Sequence, residues 1–239
     1  MADASGREAL PPRRPRSNLV TRVIAALVLV PLALVTAWLG GWPFALFWAL
    51  GAAAVLYEWI ALVSGPRRAL WIAGGVLYAG LLLAATLLLR ADPAFGLTAI
   101  LLVFAVVWST DIAGYFVGRA IGGRKLAPHI SPGKTWAGAI GGAVAAVLAA
   151  AAVAALTPSA AVLPLAALGL LLSIASQGGD LFESFIKRHF GAKDAGFLIP
   201  GHGGVMDRVD GFCAAVVLAA LIGLMRGGFA APARGLMLW

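Results

Sequence analysis

WAGAIGGAVAAVLAAAAVAAL, residues Trp136–Leu156, decides the fold of this chain. The run holds no charge and no proline, and it reaches the roughly 20 residues that carry an α-helix across a bilayer. Backbone in hydrocarbon must satisfy its own N–H and C=O groups, so a run of this kind crosses as helix. Similar runs lie on either side of it: Val20–Leu39, Pro43–Val63, Leu70–Leu89 and Ala94–Trp108 before, Ala160–Ser176 and Phe212–Met225 after. Over all 239 residues the chain is 62% hydrophobic and 12% charged. That charged fraction is about half the share usual in a soluble domain. The expectation is an all-α, polytopic integral membrane protein of about seven to nine transmembrane helices, with a polar cavity facing the cytoplasm.

The net charge of +8 does not mark a nucleic-acid binder. Arg7, Arg13, Arg14, Arg16 and Arg22 precede the first span, where basic residues hold a terminus in the cytoplasm and touch anionic lipid. No basic face with interleaved aromatics accompanies them. Residues 1–17 read as a disordered basic cytoplasmic tail and 18–239 as a single transmembrane catalytic domain. Within that domain, 18–108 are N-terminal spans and 109–229 the catalytic part. Val20–Leu39 is too long for a signal-peptide core and lacks a clear cleavage site, so it reads as a retained span. Cys213 is the only cysteine, which excludes an intrachain disulfide and a cysteine-based zinc site. It reads as a small packing residue.

Loop charges set the orientation. Pro66-Arg67-Arg68 and the basic stretch Arg119–Lys134 belong in the cytoplasm, whereas Gly40-Gly41-Trp42 and Thr157-Pro158-Ser159 carry no charge and belong outside. Seven spans satisfy both sets, with Arg90 and Arg226 as exceptions. Ser109–Gly122 admits three readings: an extension of the fourth span, a separate short helix, or an interfacial segment. Glu58, an acid within a span, wants a cation, a metal or an aqueous cavity, or else snorkels to the cytoplasmic end of its span. The small residues around Gly138, Gly141 and Gly142 read as close helix packing in lipid, and Trp38, Trp42, Trp48 and Trp59 as belt or packing residues.

Against this apolar background, GDLFESFIKRHFGAKDAGFLIPGHGGVMDRVDG, from Gly179 to Gly211, gathers Asp180, Glu183, Asp194, Asp207 and Asp210, half of the ten acidic residues. A charge near the bilayer centre costs about 2.5–3.5 kcal/mol on insertion scales, so the cluster is a candidate site. At helical spacing Asp180, Glu183, Ser184 and Lys187 share one face. This reads as an amphipathic extension of the sixth span, or more plainly as a solvated helix end with a Glu183–Lys187 pair. The glycines of Pro200-Gly201-His202-Gly203-Gly204 let backbone N–H groups turn toward an anion. Asp207 and Asp210 follow at i,i+3. Mg²⁺ takes one or two carboxylates together with waters and substrate phosphates. Asp180, Asp207 and Asp210 therefore suffice for one or two divalent ions, which a monovalent cation can accompany. His202, without Cys or nearby His, suits a phosphate contact better than zinc.

A second polar island comprises Ser109-Thr110-Asp111 to Tyr115, then Gly118-Arg119 and Ile130-Ser131-Pro132-Gly133-Lys134-Thr135-Trp136. Its Gly-Lys-Thr is not a P-loop, because the first glycine and the preceding strand are missing. Lys134 and Thr135 still stand at the N-terminus of a membrane helix, where anions are favoured. On this motif alone Lys134 reads first as an orientation marker. Asp111, directly beyond an apolar run, wants a cation, a metal or an aqueous cavity.

Ser184-x-x-Lys187-Arg188, Lys193-Asp194, Pro200-Gly201-His202-Gly203-Gly204 and Asp207-Arg208-x-Asp210 together resemble the signature of phosphatidate cytidylyltransferases, or CDP-diacylglycerol synthases. Ile130-Ser131-Pro132-x-Lys134-Thr135 is closely similar to that family's second motif, and Asp111 with Tyr115 loosely so. Many members carry an acid or amide where this chain has Ala137. The resemblance implies CTP plus phosphatidic acid giving CDP-diacylglycerol and pyrophosphate, with Mg²⁺ required, at a bacterial inner membrane with the active site toward the cytoplasm. Membrane lipids and a homodimer complete the expected partners. Asp180, Asp207 and Asp210 then hold metal, and Lys187, Arg188, Lys193 and Arg208 neutralise phosphates. His202 with Gly203 and Gly204 cradles the leaving group. Asp111, Ser131, Lys134, Thr135, Ser184 and Asp194 complete the substrate pocket. The lipid phosphate is already an anion at neutral pH, its second ionisation lying near pKa ~6, so no strong general base is needed. The rival readings are a CTP-dependent lipid kinase, which does need a base for its alcohol, and an anion transporter.

Overall fold

The computed structural model describes residues 19–196, 198 and 203–239, and these form a helical bundle. Its long helices are α1 (Leu19–Leu39), α2 (Gly41–Leu62), α3 (Arg68–Arg90), α4 (Gly96–Ile121), α5 (Trp136–Ala155), α6 (Val162–His189) and α7 (Met206–Gly227). A short α8 (Pro232–Met237) closes the chain. Six helices, α2 to α7, are long and apolar enough to cross a membrane, and α1 is apolar over Leu27–Leu39.

The open question over Ser109–Gly122 resolves in favour of extension, since α4 runs unbroken through it to Ile121. Likewise α6 continues from its apolar half through Asp180 to His189. The spans expected to stop at Trp108 and Ser176 are therefore too short. Helices of 26 and 28 residues measure about 39 and 42 Å at ~1.5 Å per residue. Both exceed a hydrocarbon core of about 30 Å. Charge marked where the lipid-facing character ended, and the helix outlasted it.

One small sheet departs from the all-α expectation. β1 (Lys125–Ala127) pairs antiparallel with β2 (Ser131–Thr135), bringing Lys125 opposite Thr135 and Ala127 opposite Ser131. The hairpin feeds directly into α5, where Thr135 Oγ1 accepts the Gly138 N–H at 3.1 Å as an N-cap. That bond satisfies one of the orphan donors of the first turn.

Small residues let α4, α5 and α6 close up. The buried stripe of α5 is Gly138, Gly142, Ala146, Ala150 and Ala154, one residue every four. A Cβ on Gly138 would come 2.6 Å from the Gly114 carbonyl oxygen of α4. Across the bundle, Trp48 of α2 stacks on Phe212 of α7 with ring centroids 4.8 Å apart. Trp48 is thus a core residue, whereas Trp38 and Trp42 are 70% and 76% exposed.

Arg90 and Arg226, the two exceptions to the orientation rule, have backbone partners. Arg90 Nε donates to the Ala37 carbonyl at 2.6 Å and its Nη2 to that of Trp38 at 3.2 Å, satisfying the C-terminal end of α1. Gly40, at φ 65°, turns the chain there, and a Cβ would run into that guanidinium. Arg226 donates to the Gly235 and Leu238 carbonyls and lies 3.7 Å over the Trp239 ring. Glu58 does not snorkel. It is 1% exposed, with its carboxylate turned inward to the start of α7.

Candidate active site

The two polar islands, far apart in sequence, form one open cavity of about 1010 Å³. From α4 come Asp111, Tyr115 and Arg119, and from the hairpin Lys125, Lys134 and Thr135. α6 supplies Gln177, Asp180, Glu183 and Lys187, which recur at the three- and four-residue spacing of one helical face, and Arg188 beside them. The first turn of α7 adds Asp207, Arg208 and Asp210, and the loop before it Lys193 and Asp194.

Ion pairs tie these elements together. Lys134 Nζ lies 2.5 Å from Asp180 Oδ2, joining the mouth of α5 to α6. Lys187 Nζ lies 3.0 Å from Glu183 Oε2 and 2.5 Å from Asp207 Oδ1. Asp207 Oδ2 accepts the Ala195 and Gly204 N–H groups at 3.1 and 3.0 Å, so both of its oxygens are bonded within the protein. Arg188 donates to the Ile130 carbonyl at 3.4 Å and the Ala192 carbonyl at 3.1 Å, bridging the hairpin to the loop. The i,i+4 pair foreseen between Glu183 and Lys187 is therefore real, and it is buried: the side chains are 2% and 11% exposed. That burial removes the reading of an ordinary solvated helix end.

Not every expected residue lines the cavity. Ser131, Ser184, Gly203 and Gly204 are outside its wall. Ser184 Oγ sits 3.4 Å from Asp180 Oδ1 and props that carboxylate from behind. Gly203 adopts φ 89°, a left-handed conformation that favours glycine. The Gly204 N–H is engaged by Asp207. His202, with Pro200 and Gly201, lies outside the described residues.

The sequence reading also passed over wall residues. Gln177 Nε2 donates to the Ala139 carbonyl and to Ser173 Oγ, each at 3.3 Å, and Ser173 in turn accepts from Thr110 Oγ1 at 2.9 Å. This polar floor links α4, α5 and α6 beneath the charged rim. Gln177 stands one turn before Asp180 on the same face, and that spacing was the signal available for finding it.

Among the described residues, no three His, Cys, Asp or Glu side chains form a ready-made metal cage. A cation that relies on substrate phosphates does not need one. Asp180, Glu183 and Asp210 line the same wall with hard oxygen donors. Among the described residues, Glu183 Oε1 is buried without a hydrogen-bond partner. An orphaned buried acceptor costs roughly 1–3 kcal/mol, and a nearby cation would relieve it. The residues present fit a divalent ion.

Comparison with known proteins agrees with this chemistry. A family model described as "Cytidylyltransferase family" matches residues 66–225. A phosphatidate cytidylyltransferase of Brucella suis is 45% identical over an alignment 262 positions long, covering 90% of this chain and 96% of that protein. One from Rickettsia bellii is 36% identical over 215 residues, covering 86% and 90%. One from Pseudomonas aeruginosa is 53% identical over 136 residues, covering 56% and 49%.

Proposed function

The chain belongs to the cytidylyltransferase family, and from that premise we propose that it is a phosphatidate cytidylyltransferase of the bacterial inner membrane. In this reaction a phosphate oxygen of phosphatidic acid forms a bond to the α-phosphorus of CTP. The bond from that phosphorus to the bridging oxygen breaks, and pyrophosphate departs with the electron pair. The observation that carries the proposal is the convergence of both polar islands on one cavity whose wall holds six carboxylates and seven Lys or Arg side chains. Such a wall is near neutral before substrate arrives. It has the cations to hold phosphates and the carboxylates to hold a metal, and no strong base is required of it.

The residues divide the work by charge. Lys134, Lys187, Arg188, Lys193 and Arg208 hold phosphate oxygens, aligning the nucleophile, the α-phosphorus and the leaving group. Phosphate competes with Asp180 for Lys134 and with Asp207 for Lys187, so each cation is already placed when its substrate enters. Asp180 and Asp210, with Asp207 beside them, are the residues to hold one or two Mg²⁺ ions, which a monovalent cation can accompany. Asp207 does so only by exchanging a present partner. A bound Mg²⁺ supplies neutralisation of the charge that builds on the transferred and departing phosphates. Thr135, capping α5, and Asp111 opposite shape the nucleotide side, and the Thr110–Ser173–Gln177 floor keeps the lower wall polar.

Orientation with the cavity toward the cytoplasm is supported by the Arg-rich N-terminal tail, by Arg67 and Arg68, and by the basic stretch from Arg119 to Lys134. Lipid covers the exposed apolar flanks, and a second copy of the chain is the remaining expected partner.

The test is a purified-protein assay with phosphatidic acid, Mg²⁺ and CTP labelled at either the α- or the γ-phosphate. α-Label in the lipid together with released pyrophosphate is the expected result. γ-Label in the lipid would instead mark a lipid kinase, and solute flux without pyrophosphate a transporter.

A further inference from the structure

Glu58 stands on α2, outside the residues 66–225 that match the family. It reaches across the bundle to the site's own backbone. Its Oε1 accepts the Val205 N–H at 3.0 Å and its Oε2 the Met206 N–H at 2.8 Å. These are donors at the very start of α7, where a helix leaves N–H groups without intrahelical partners and favours negative charge. The carboxylate is also wedged between two glycines of the preceding loop. A Cβ on Gly196 would come 2.5 Å from Glu58 Oε1, and one on Gly204 would come 2.7 Å from Oε2 and 3.0 Å from Asp207 Oδ2.

Two carboxylates therefore hold the described residues that lead into α7. Asp207 holds them through Ala195 and Gly204, from inside the cavity wall. Glu58 holds them through Val205 and Met206, from the opposite helix. Among the described residues Glu58 forms no ion pair, so its buried carboxyl group is met by backbone donors. A buried polar group is costly without hydrogen-bond partners, and here the partners lie at the one junction from which Asp207, Arg208 and Asp210 project.

We infer that Glu58 is a positioning residue for cytidylyl transfer: it fixes the start of α7, and through it the placement of Asp207 and Asp210 in the cavity. This makes the N-terminal spans part of the active-site scaffold as well as a membrane anchor. The inference rests on the function proposed above, and its test has a readout that does not.

Glu58→Gln keeps the size of the side chain but turns one acceptor into a donor facing a backbone N–H. In the full-length protein in detergent, amide hydrogen exchange of the peptide covering 203–210 should accelerate by about tenfold or more, while α4 and α5 keep their protection. Unchanged exchange in that peptide overturns the inference whether or not the wild-type protein turns over CTP. With active wild type, kcat per folded protein should fall roughly 10- to 100-fold, with KM for CTP held within about threefold, as expected for misplaced catalytic groups. A kcat within about twofold of wild type, or kcat and KM drifting together with the thermal midpoint, also overturns it. Absence of CDP-lipid from wild type would overturn the proposed reaction alone. Should Glu58→Gln fail to accumulate, Gly196→Ala takes its place. Its methyl group displaces the carboxylate and should lower kcat, and adding the shorter side chain of Glu58→Asp should recover part of the loss. A double variant worse than either single one counts against the inference.

Discussion

Lys134 and Asp180 meet at 2.5 Å between the mouth of α5 and the polar half of α6, one residue from each of the two polar islands. The side chains are 25% and 36% exposed, open enough for an arriving phosphate to replace the carboxylate. The lysine that read first as an orientation marker thus has a specific partner on the wall of the site.

Lys134→Ala should lower kcat/KM for CTP or lipid by roughly 10- to 100-fold, the scale of losing one charge-assisted contact of about 1.5–3 kcal/mol. Initial-rate kinetics with each substrate varied in turn checks this. Unchanged kinetics would leave the lysine only its orienting role.

Asp207→Asn should abolish product formation to below about 1% while the protein still inserts. Removing one partner of a buried pair costs roughly 3–5 kcal/mol, and this pair is 11% and 13% exposed. The amide also places N–H groups toward the Lys187 ammonium or toward the Ala195 and Gly204 donors. Near-normal turnover by membrane-inserted variant would remove Asp207 from the catalytic set.

Chelation of divalent ions with EDTA should stop CDP-lipid formation, and excess Mg²⁺ should restore it. Asp180→Asn and Asp210→Asn should each raise the Mg²⁺ concentration giving half-maximal rate by about tenfold or more, as for the loss of one of a few carboxylate ligands. Undiminished product in EDTA would mean that the lysines and arginines suffice without a metal.

Gly138→Val should separate α4 from α5, because even a Cβ would come 2.6 Å from the Gly114 carbonyl oxygen. Overpacking typically costs about 1–3 kcal/mol. The thermal midpoint in detergent should drop by several degrees on the usual scale of about 2–4 °C per kcal/mol for a chain of this size. Activity should fall as well, since Gly138 lines the cavity. An unshifted midpoint would show that the helices have room to give.

Much of this was legible before any coordinates. Apolar run length identified α5 almost to the residue, and helical spacing placed Asp180, Glu183 and Lys187 on one face. Charge marks the ends of the apolar spans at Trp108 and Ser176 but not of the helices: α4 passes through Asp111 and α6 through Asp180 without a break, in line with the extension readings of both spans. A helix needs its hydrogen bonds and not an apolar face all round, and lining a polar cavity is the circumstance that allows both. The partners of Glu58 are hidden from the sequence for the opposite reason. Its partners, Val205 and Met206, are backbone groups far along the chain, and backbone donors leave no mark on a sequence pattern.

The charges at the junction of α3 and α4 bear on how such chains are threaded into membranes. Arg90 is bound to the carbonyls ending α1, and Asp92 Oδ1 receives the Ala94 and Phe95 N–H groups at 2.8 and 3.0 Å. Both side chains are engaged with main chain, so in the folded protein that turn presents almost no free charge. A tally that scores every arginine alike would weigh it as a retention signal. Arg68 likewise donates to the Ile60 carbonyl near the end of α2 at 3.5 Å, so discounting residues that serve as helix-end ligands leaves the tail, Arg67 and the hairpin region to set the count.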